Sequence, residues 1–306
     1  MTLSLIQLKA RFQDPMRQGI VDLLWESSRV MRRLNFIQQP GLAYPYQQRA
    51  KLPGVAFRGL NEDYTPGAGV INPAIERLAI LGGSIKTDHI AIDTKGDGAR
   101  TNEIAAKMEA AGKFFDKNFF NGDMTQNVKG FDGLKRRIAG TKLIKQATNG
   151  AVVTAKKVIE LQDLVEGPNS EKVLFMNQTN RRNLVDAVTS GGTGVQRLLE
   201  FTAANGNYRF NGSEVEEVFF DEAESPILPF AETTGTSDLT SSIYCVRFGG
   251  AVDERGVQGI SGLREDIIHR GPIIHGTFVE DVVEMAAGIG IFSGHAAARL
   301  EGTLAA

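Results

Sequence analysis

The chain has very little cysteine, few histidines and no excess of charge of either sign. Its 306 residues contain one cysteine and four histidines, and the formal net charge is -2. A single cysteine, Cys245, excludes an intrachain disulfide and a zinc site built on paired cysteines. The near-neutral balance excludes a surface dedicated to nucleic acid, which is usually strongly basic. Any contact with DNA is therefore expected to be local and weak.

Long hydrophobic runs are also missing. Polar residues interrupt the opening stretch MTLSLIQLKARFQDP at short intervals, whereas a signal peptide or a spanning helix needs a continuous apolar segment. Together with the single cysteine, this indicates a protein that is made and used in the cytoplasm. Internal repeats, low-complexity tracts and heptad runs are absent from the sequence, which argues against solenoids and propellers.

No motif for catalysis or cofactor binding is complete. The stretch GGSIKTD has Ile85 where a phosphate-binding loop needs a glycine before the lysine, and GDGAR lacks the third glycine of a dinucleotide site. Cys245 lies in an apolar stretch without an adjacent base, so we expect a buried, unreactive thiol. We expect structural roles for the dispersed histidines, which are His89, His269, His275 and His295. The sequence thus predicts no enzyme, no cofactor and no metal, and a glycine-rich-loop enzyme of α+β type is the alternative from another class.

Neighbouring acidic residues are predicted to lie on solvated edges. Side chains of adjacent residues in a strand point to opposite faces, so such pairs do not form a paired acid and base. The pairs are Glu216-Glu217, Asp221-Glu222 and Glu280-Asp281.

A helix that carries arginines is predicted near the N-terminus. Asp14 and Pro15 form a helix start, and apolar residues then recur at helical spacing as far as Leu34. The segment from Lys9 to Arg49 contains seven lysines and arginines but only three acidic residues. The basic residues form either a solvated helix face or a contact with a partner. Those off the apolar stripe are Arg17, Arg29, Arg32 and Arg33.

The next segment predicts an extended two-stranded ribbon. Residues 42–52 alternate with the period of a strand, Pro53-Gly54 indicates a turn, and Val55 and Phe57 are expected to begin the return strand. Prolines in both arms are typical of edge strands. A long ribbon with so few apolar residues is marginal in water on its own. We therefore expect it to lie on a neighbouring copy of the chain.

The strongest helix is predicted over residues 101–121. Its apolar residues recur at steps of four and three, and four phenylalanines near its end require a packing partner. Before it, residues 76–93 predict two strands joined by a Gly82-Gly83 bend. Beyond residue 150, short helices alternate irregularly with strands, which are predicted over residues 214–220, 242–248 and 277–285. This order is typical of the α+β class.

Taken in sequence order, these segments resemble the major capsid proteins of tailed bacteriophages. The resemblance runs from about residue 14 to the C-terminus, and it rests on Asp14-Pro15 and on the stretches AYPYQQRAKLPGVAFRGLNEDYT, KNFFNGD with FDGLKRRI, LFMNQTNRR, ILPFAETTGTSDLTSSIYCVRFG and GIGIFSGHAAARLEG. It implies the Hong Kong 97-like α+β capsid fold. Its parts would be an N-terminal arm (1–40), an E-loop (41–75), a peripheral or P domain (76–149 and 279–306, with the spine helix over 101–121) and an axial or A domain (150–278).

The resemblance also implies a function and its contacts. The chain would be a structural virion protein that assembles through pentamers and hexamers into an icosahedral shell around phage DNA, in the host cytoplasm. Scaffold, portal and decoration proteins would be its partners, together with non-specific contact to double-stranded DNA and no membrane. The implied contact residues are Tyr44, Tyr46, Arg49, Lys51, Phe57 and Arg58 in the E-loop, the four arginines of the arm, and Gly191, Gly192 and Gly194 in an axial loop.

Some features depart from relatives in that group. The arm helix begins near residue 14, which favours a separate scaffold protein over a cleaved scaffolding segment. Lys51 lies in the ribbon, but no asparagine or assisting glutamate matches a cross-linking motif, so we expect no covalent cross-link. Hinge glycines are expected near Gly82-Gly83, Gly96 and Gly98. The closest alternative function is an encapsulin-type nanocompartment shell, which has the same fold.

Overall fold

Seven helices are seen in the part of the chain that the computed structural model describes, which is residues 2–9, 15–51, 53–190, 198–202, 207–250, 255–262 and 267–305. Asp14 and the predicted axial-loop glycines Gly191, Gly192 and Gly194 lie outside these ranges. The helices are α1 (Leu5–Lys9), α2 (Pro15–Ser27), α3 (His89–Lys95), α4 (Gly98–Asn121), α5 (Leu134–Arg137), α6 (Ala155–Asp163) and α7 (Gln178–Ser190).

The strands form two large sheets and a separate hairpin. They are β1 (Thr2–Ser4), β2 (Asn35–Gln38), β3 (Ala43–Lys51), β4 (Val70–Arg77), β5 (Ala79–Asp88), β6 (Leu143–Lys145), β7 (Lys172–Met176), β8 (Leu199–Thr202), β9 (Asn207–Phe210), β10 (Ser213–Glu217), β11 (Glu232–Thr234), β12 (Ser237–Arg247), β13 (Val257–Ser261), β14 (Ile267–Ile274), β15 (Phe278–Ile291) and β16 (Ala297–Leu304).

Helix α4 is the predicted spine helix, and it begins one turn earlier than the sequence suggests. Its 24 residues span about 36 Å at about 1.5 Å per residue. The predicted apolar stripe is buried at Ile104, Met108, Phe115 and Phe119. The ring of Phe120 lies 5.4 Å from that of Phe175 and 5.2 Å from that of Tyr244, centroid to centroid. The end of α4 therefore packs directly on the sheet that contains β7 and β12.

The six-stranded sheet is built around the long strand β15. Strand β5 pairs along one edge of β15, while β14 and β13 pair along the other. The predicted Gly82-Gly83 bend is wrong, because both glycines lie inside the continuous strand β5. A Cβ atom on Gly82 would lie 2.2 Å from the carbonyl oxygen of Val283. The glycine thus allows two strands to approach closely, whereas Gly96, with φ of 74°, does lie in a turn between α3 and α4.

The centre of the eight-stranded sheet is buried on both faces. Strand β7 is buried throughout, and its side chains alternate between two cores. Phe175 faces the core that contains α2 and α4, whereas Leu174 belongs to a second core under α6 and α7. Cys245 lies in that second core, as predicted, and burial raises the pKa of its thiol to about 12.

The sheets divide the chain differently from the predicted domain ranges. Strands β13 and β14, which lie within the range predicted for the A domain, join the six-stranded sheet with β15. Strand β16, which lies within the range predicted for the P domain, pairs with β12 and β6 in the eight-stranded sheet. Strands from the last fifty residues thus belong to both sheets. The alternation of apolar residues within a strand does not indicate which sheet the strand joins.

The hairpin of β3 and β4 is the predicted ribbon, but its return strand was placed wrongly. Strand β4 begins at Val70, and Val55 and Phe57 lie in the loop between the strands. Two prolines, Pro53 and Pro66, and four glycines occur in residues 53–69. Proline cannot donate a ladder hydrogen bond, and glycine weakens a strand, so this segment does not continue the pairing. The name ribbon is used below for β3, β4 and the loop 53–69.

Truncation of the core at the end of α4 should strongly destabilise the fold. Phe120 is fully buried against the eight-stranded sheet, and we expect Phe120→Ala to lower the free energy of unfolding by about 3–5 kcal/mol. Phe114 on the same helix is 37% exposed, so Phe114→Ala is the matched control and should cost much less. Urea unfolding of the unassembled subunit measures both, and equal losses would contradict this packing.

Candidate assembly surfaces

The ribbon leaves apolar side chains in contact with solvent. Its strands pair from Ala43 with Arg77 at the root to Lys51 with Val70 at the far end. The exposed fractions of Val55, Phe57 and Leu60 in the loop lie between 94% and 107%, so these side chains pack on nothing in the subunit. Ile71 and Ile75 of β4 are more than half exposed as well. A patch of this kind is typical of a surface that another chain covers.

The six E-loop residues singled out in the sequence fall into three groups. Tyr44 and Tyr46 are half-buried at the root, where their ring centroids lie 5.9 Å and 5.0 Å from that of Phe292. Arg49 and Lys51 lie in the distal part of β3. Phe57 and Arg58 lie in the exposed loop, and the Arg58 guanidinium donates to the carbonyl oxygen of Glu62 at 2.9 Å and stacks on the ring of Tyr64. The structure therefore does not bring the six together.

The N-terminal arm packs on its own subunit to a large extent. Ile20, Val21 and Leu24 of α2 are buried, and β1 pairs with β2. The apolar face of α2 is therefore covered within its own subunit and not by a neighbouring copy. Its apolar stripe covers α4, which supplies the packing partner that the spine helix requires.

Three of the four arginines of the arm converge on one buried carboxylate. The guanidinium nitrogens of Arg29, Arg32 and Arg33 lie 3.3, 2.9 and 2.6 Å from the carboxylate oxygens of Glu216, whose side chain is 4% exposed. Arg33 also contacts Glu214 at 2.7 Å. Arg17 lies in the first turn of α2 and is half-buried. Much of the arm's positive charge is thus balanced within the subunit, at the junction with β10.

Comparison with known proteins shows which family and which fold the chain resembles. Residues 13–161 match the family model described as Major capsid protein GP7, and no curated protein sequence matches the chain significantly. Over these residues the chain matches the major capsid protein family, and its fold is the Hong Kong 97-like capsid fold. Members of this capsid family are virion components, and they assemble with further copies into shells.

Solved structures share the fold at low sequence identity. The SrpI encapsulin of Synechococcus elongatus is 15% identical with a TM-score of 0.63, over 90% of this chain and 87% of that chain. The capsid of a native GTA particle is 13% identical with a TM-score of 0.62, over 90% of each chain. The capsid of cyanophage A-1(L) is 13% identical with a TM-score of 0.59, over 88% of this chain and 90% of that chain. At these identities the likeness shows the fold alone.

A buried aspartate of α4 binds the segment that follows the C-terminal end of α2. Asp116 of α4 accepts hydrogen bonds from the Ser28 hydroxyl and from the backbone amides of Arg29 and Val30, at 2.8 Å for Arg29. Burial raises the pKa of the Asp116 carboxyl to about 7, against the lowering effect of these hydrogen bonds. One turn earlier, Gly112 allows Ser27 to approach the helix closely. Residues 27–34 thus join the spine helix on one side and β10 on the other.

Two further buried carboxylates show that the predicted solvated acids are only partly solvated. Asp281 is fully buried, and Arg100 binds it through two nitrogens at 2.6 and 2.7 Å while His269 contacts it at 2.9 Å. Burial tends to raise the pKa of Asp281, but hydrogen bonds from Arg100 and His269 lower it overall. Asp221 is buried against Lys117 at 2.8 Å. The prediction is therefore wrong for Glu216, Asp221 and Asp281, because distant residues supply their cationic partners.

The described residues offer no metal site. Within them, no group of three or more histidine, cysteine, aspartate or glutamate side chains is placed to hold a metal ion. Among the same residues, no helix is long and apolar enough to span a membrane. His275 contacts Glu280 at 3.0 Å, and the Lys142 ammonium lies 2.5 Å from the ring nitrogen of His295. These histidines thus make contacts between elements of the fold.

Titration of Asp116 should make the stability of the subunit depend on pH. Because its folded-state pKa of about 7 lies above its ordinary value of 3.8, the native state binds a proton more readily than the unfolded chain does. The free energy of unfolding should therefore fall as the pH rises from about 4 to about 7 and level off above that. Asp116→Asn should remove this slope.

The slope is measured by urea unfolding of the unassembled subunit between about pH 5 and about pH 8. Asp123→Asn is the matched control, since hydrogen bonds from Thr125 lower the pKa of Asp123 and place its titration below this window. Identical slopes for the native chain and Asp116→Asn would contradict the assignment.

Proposed function

We propose that this capsid protein builds the icosahedral head shell of a tailed bacteriophage around double-stranded DNA, in pentamers and hexamers. Its role is structural and not enzymatic, and assembly takes place in the host cytoplasm. The observation that carries the proposal is the ribbon, whose apolar side chains pack on nothing in the subunit. In a chain that has the capsid fold, the surface that completes the ribbon is another copy of the same chain.

The physical basis is the sum of several modest contacts. Burying one large side chain such as Phe57 contributes about 1.5–3 kcal/mol, which is too little to hold two subunits together alone against the cost of association. A subunit in a closed lattice contacts several neighbours at once, so such contributions add within one assembly. The distal ribbon, with Arg49, Lys51, Phe57 and Arg58, is the part that the proposal places on the neighbour.

The other proposed contacts rest on fewer observations than the ribbon does. Arg29 keeps 37% of its side chain exposed despite its contact with Glu216, which makes it the best placed of the three converging arginines to meet a phosphate or a neighbour's carboxylate. The proposal also retains the axial-loop role of Gly191, Gly192 and Gly194 and the four predicted domain ranges. Scaffold, portal and decoration proteins are its further partners.

An encapsulin-type shell is the second candidate, because the SrpI encapsulin has the same fold over most of both chains. The family match over residues 13–161 favours the phage capsid. Electron microscopy of the purified protein tests the common element of both proposals, namely closed shells. Shells that form on coexpression with a phage portal and package DNA support the head-shell proposal, whereas shells that take up an enzyme through a short peptide support the second candidate. A protein that stays monomeric at high concentration, both alone and when coexpressed with a scaffold protein, would refute both.

Substitution of the exposed phenylalanine should block assembly without affecting folding. Phe57→Ser removes apolar surface only from the loop, so we expect the free energy of unfolding of the unassembled subunit to change by less than about 0.5 kcal/mol. The yield of closed shells seen by electron microscopy should fall severalfold. Phe57→Leu, which keeps an apolar side chain, is the matched control and should assemble. Normal shells from Phe57→Ser would show that the loop is not at an interface.

A further inference from the structure

The ribbon is joined to the body of the subunit only around its root, as far as the described residues show. The chain enters it after Gln39 and Gly41, whose amides donate to the carbonyl oxygens of Ser261 and Gly262 at 2.9 and 3.1 Å. At the exit, the Leu78 amide donates to the carbonyl oxygen of Leu42 at 3.0 Å. These backbone bonds fix where the ribbon starts. They leave its direction to the side chains beside the root.

One carboxylate accepts hydrogen bonds both from the ribbon and from the body of the subunit. Glu76 of β4 accepts a hydrogen bond from the Tyr46 hydroxyl of β3 at 3.0 Å and one from the Arg137 guanidinium of α5 at 2.7 Å. Arg137 is itself fixed, because its Nε donates to the carbonyl oxygen of Asp132 at 2.6 Å. The side chains of Glu76 and Arg137 are 14% and 16% exposed, so solvent screens this ion pair less than it screens a surface pair.

The surroundings of these three side chains favour a unique arrangement. Burial, with the nearby Glu76 charge, raises the pKa of Tyr46 to about 12, so its hydroxyl keeps the proton that it donates. On its other side the Tyr46 ring packs edge-on against Phe292 at 5.0 Å. A cleft of about 380 Å³ lies beside them, lined in part by Ile138, Ala139 and Lys142. The root therefore has room to move if the side chains release it.

We infer that Glu76, Tyr46 and Arg137 form a latch that sets the direction of the ribbon and so positions its distal part for the neighbouring subunit. This inference rests on the proposed function, because it assigns the latch a role in shell assembly. The residues are positioning residues and need not touch the neighbour themselves.

Because the ribbon is long, a small change of direction at its root displaces its far end by several ångström. The eight residues of β4 extend over about 26 Å at about 3.3 Å per residue. A rotation of about 10° at the root would move the far end of β4 by about 5 Å, which exceeds the range of a van der Waals contact of about 4 Å. A small error in direction at Glu76 would thus separate Phe57 from any surface that it is meant to cover.

The latch is tested first on the unassembled subunit by distance measurement between two spin labels. Asn72→Cys in β4 and Glu109→Cys on α4 supply exposed labelling sites, and the native Cys245 is buried and its raised thiol pKa keeps it unreactive. We expect a narrow distance distribution in the native background. Glu76→Gln and Arg137→Met should broaden it or shift its maximum by a few ångström, and the yield of unlabelled shells should fall severalfold.

Three further variants make the result decisive. Arg136→Met is the matched control, because Arg136 neighbours Arg137 on α5 but pairs with Asp123 and Asp132 of the body. Tyr46→Phe removes one hydroxyl and keeps the ring on Phe292, so it reports on the latch even if Glu76→Gln or Arg137→Met folds poorly. The exchanged pair Glu76→Lys with Arg137→Glu should narrow the distribution again relative to either single change.

The outcomes separate the latch from the proposed function. Distributions for Glu76→Gln, Arg137→Met and Tyr46→Phe that all equal that of Arg136→Met would overturn the latch, whatever the shells do. If the native chain forms no shells, the proposed function fails, while the distances measured on the subunit still decide whether Glu76 directs the ribbon. Broadened distances together with normal shells would overturn the role in assembly.

Discussion

The packing of helix α4 is the constraint on which the rest of the structure depends. Four phenylalanines in its last two turns cannot be covered by a single neighbour, so α2 covers one side and the eight-stranded sheet covers another. The position of α2 brings the arginines of residues 29–33 to Glu216 in β10. A single apolar requirement thus determines where the arm lies and which strand its charges meet.

Apolar packing allows several arrangements of the arm, α4 and the sheets, and buried polar contacts select one of them. Asp116, Glu216 and Asp281 are buried, and each is bound by groups from a distant part of the chain. Removing one partner of such a contact leaves a buried group unpaired, which costs more than the intact contact contributes. These carboxylates therefore act chiefly by making alternative arrangements of arm, helix and sheet unfavourable.

Prediction from the sequence succeeded where the information is local. The stripe of α4, the strand alternation of the ribbon and the burial of Cys245 are all set by residues close together in the chain. The mispredictions involve partners far away in sequence. The sequence predicts a solvated Glu216 because its arginine partners lie more than 180 residues earlier. It predicts a bend at Gly82-Gly83 because the backbone of β15, which these glycines allow to approach, is distant in the sequence. Asp116 was missed although it lies beside Phe115 on a buried stripe, which is the one local signal for it.

The loop 53–69 is subject to a different test from the rest of the polypeptide. A harmful substitution in the core lowers the stability of the fold, so the chain misfolds and can be degraded before assembly. A substitution at Val55 or Leu60, whose side chains have almost no neighbours in the subunit, passes that stage unnoticed. In the proposed shell every copy carries the same substitution, so selection on this loop acts on the assembled particle, and the loop can change only together with the surface that it contacts on the neighbour.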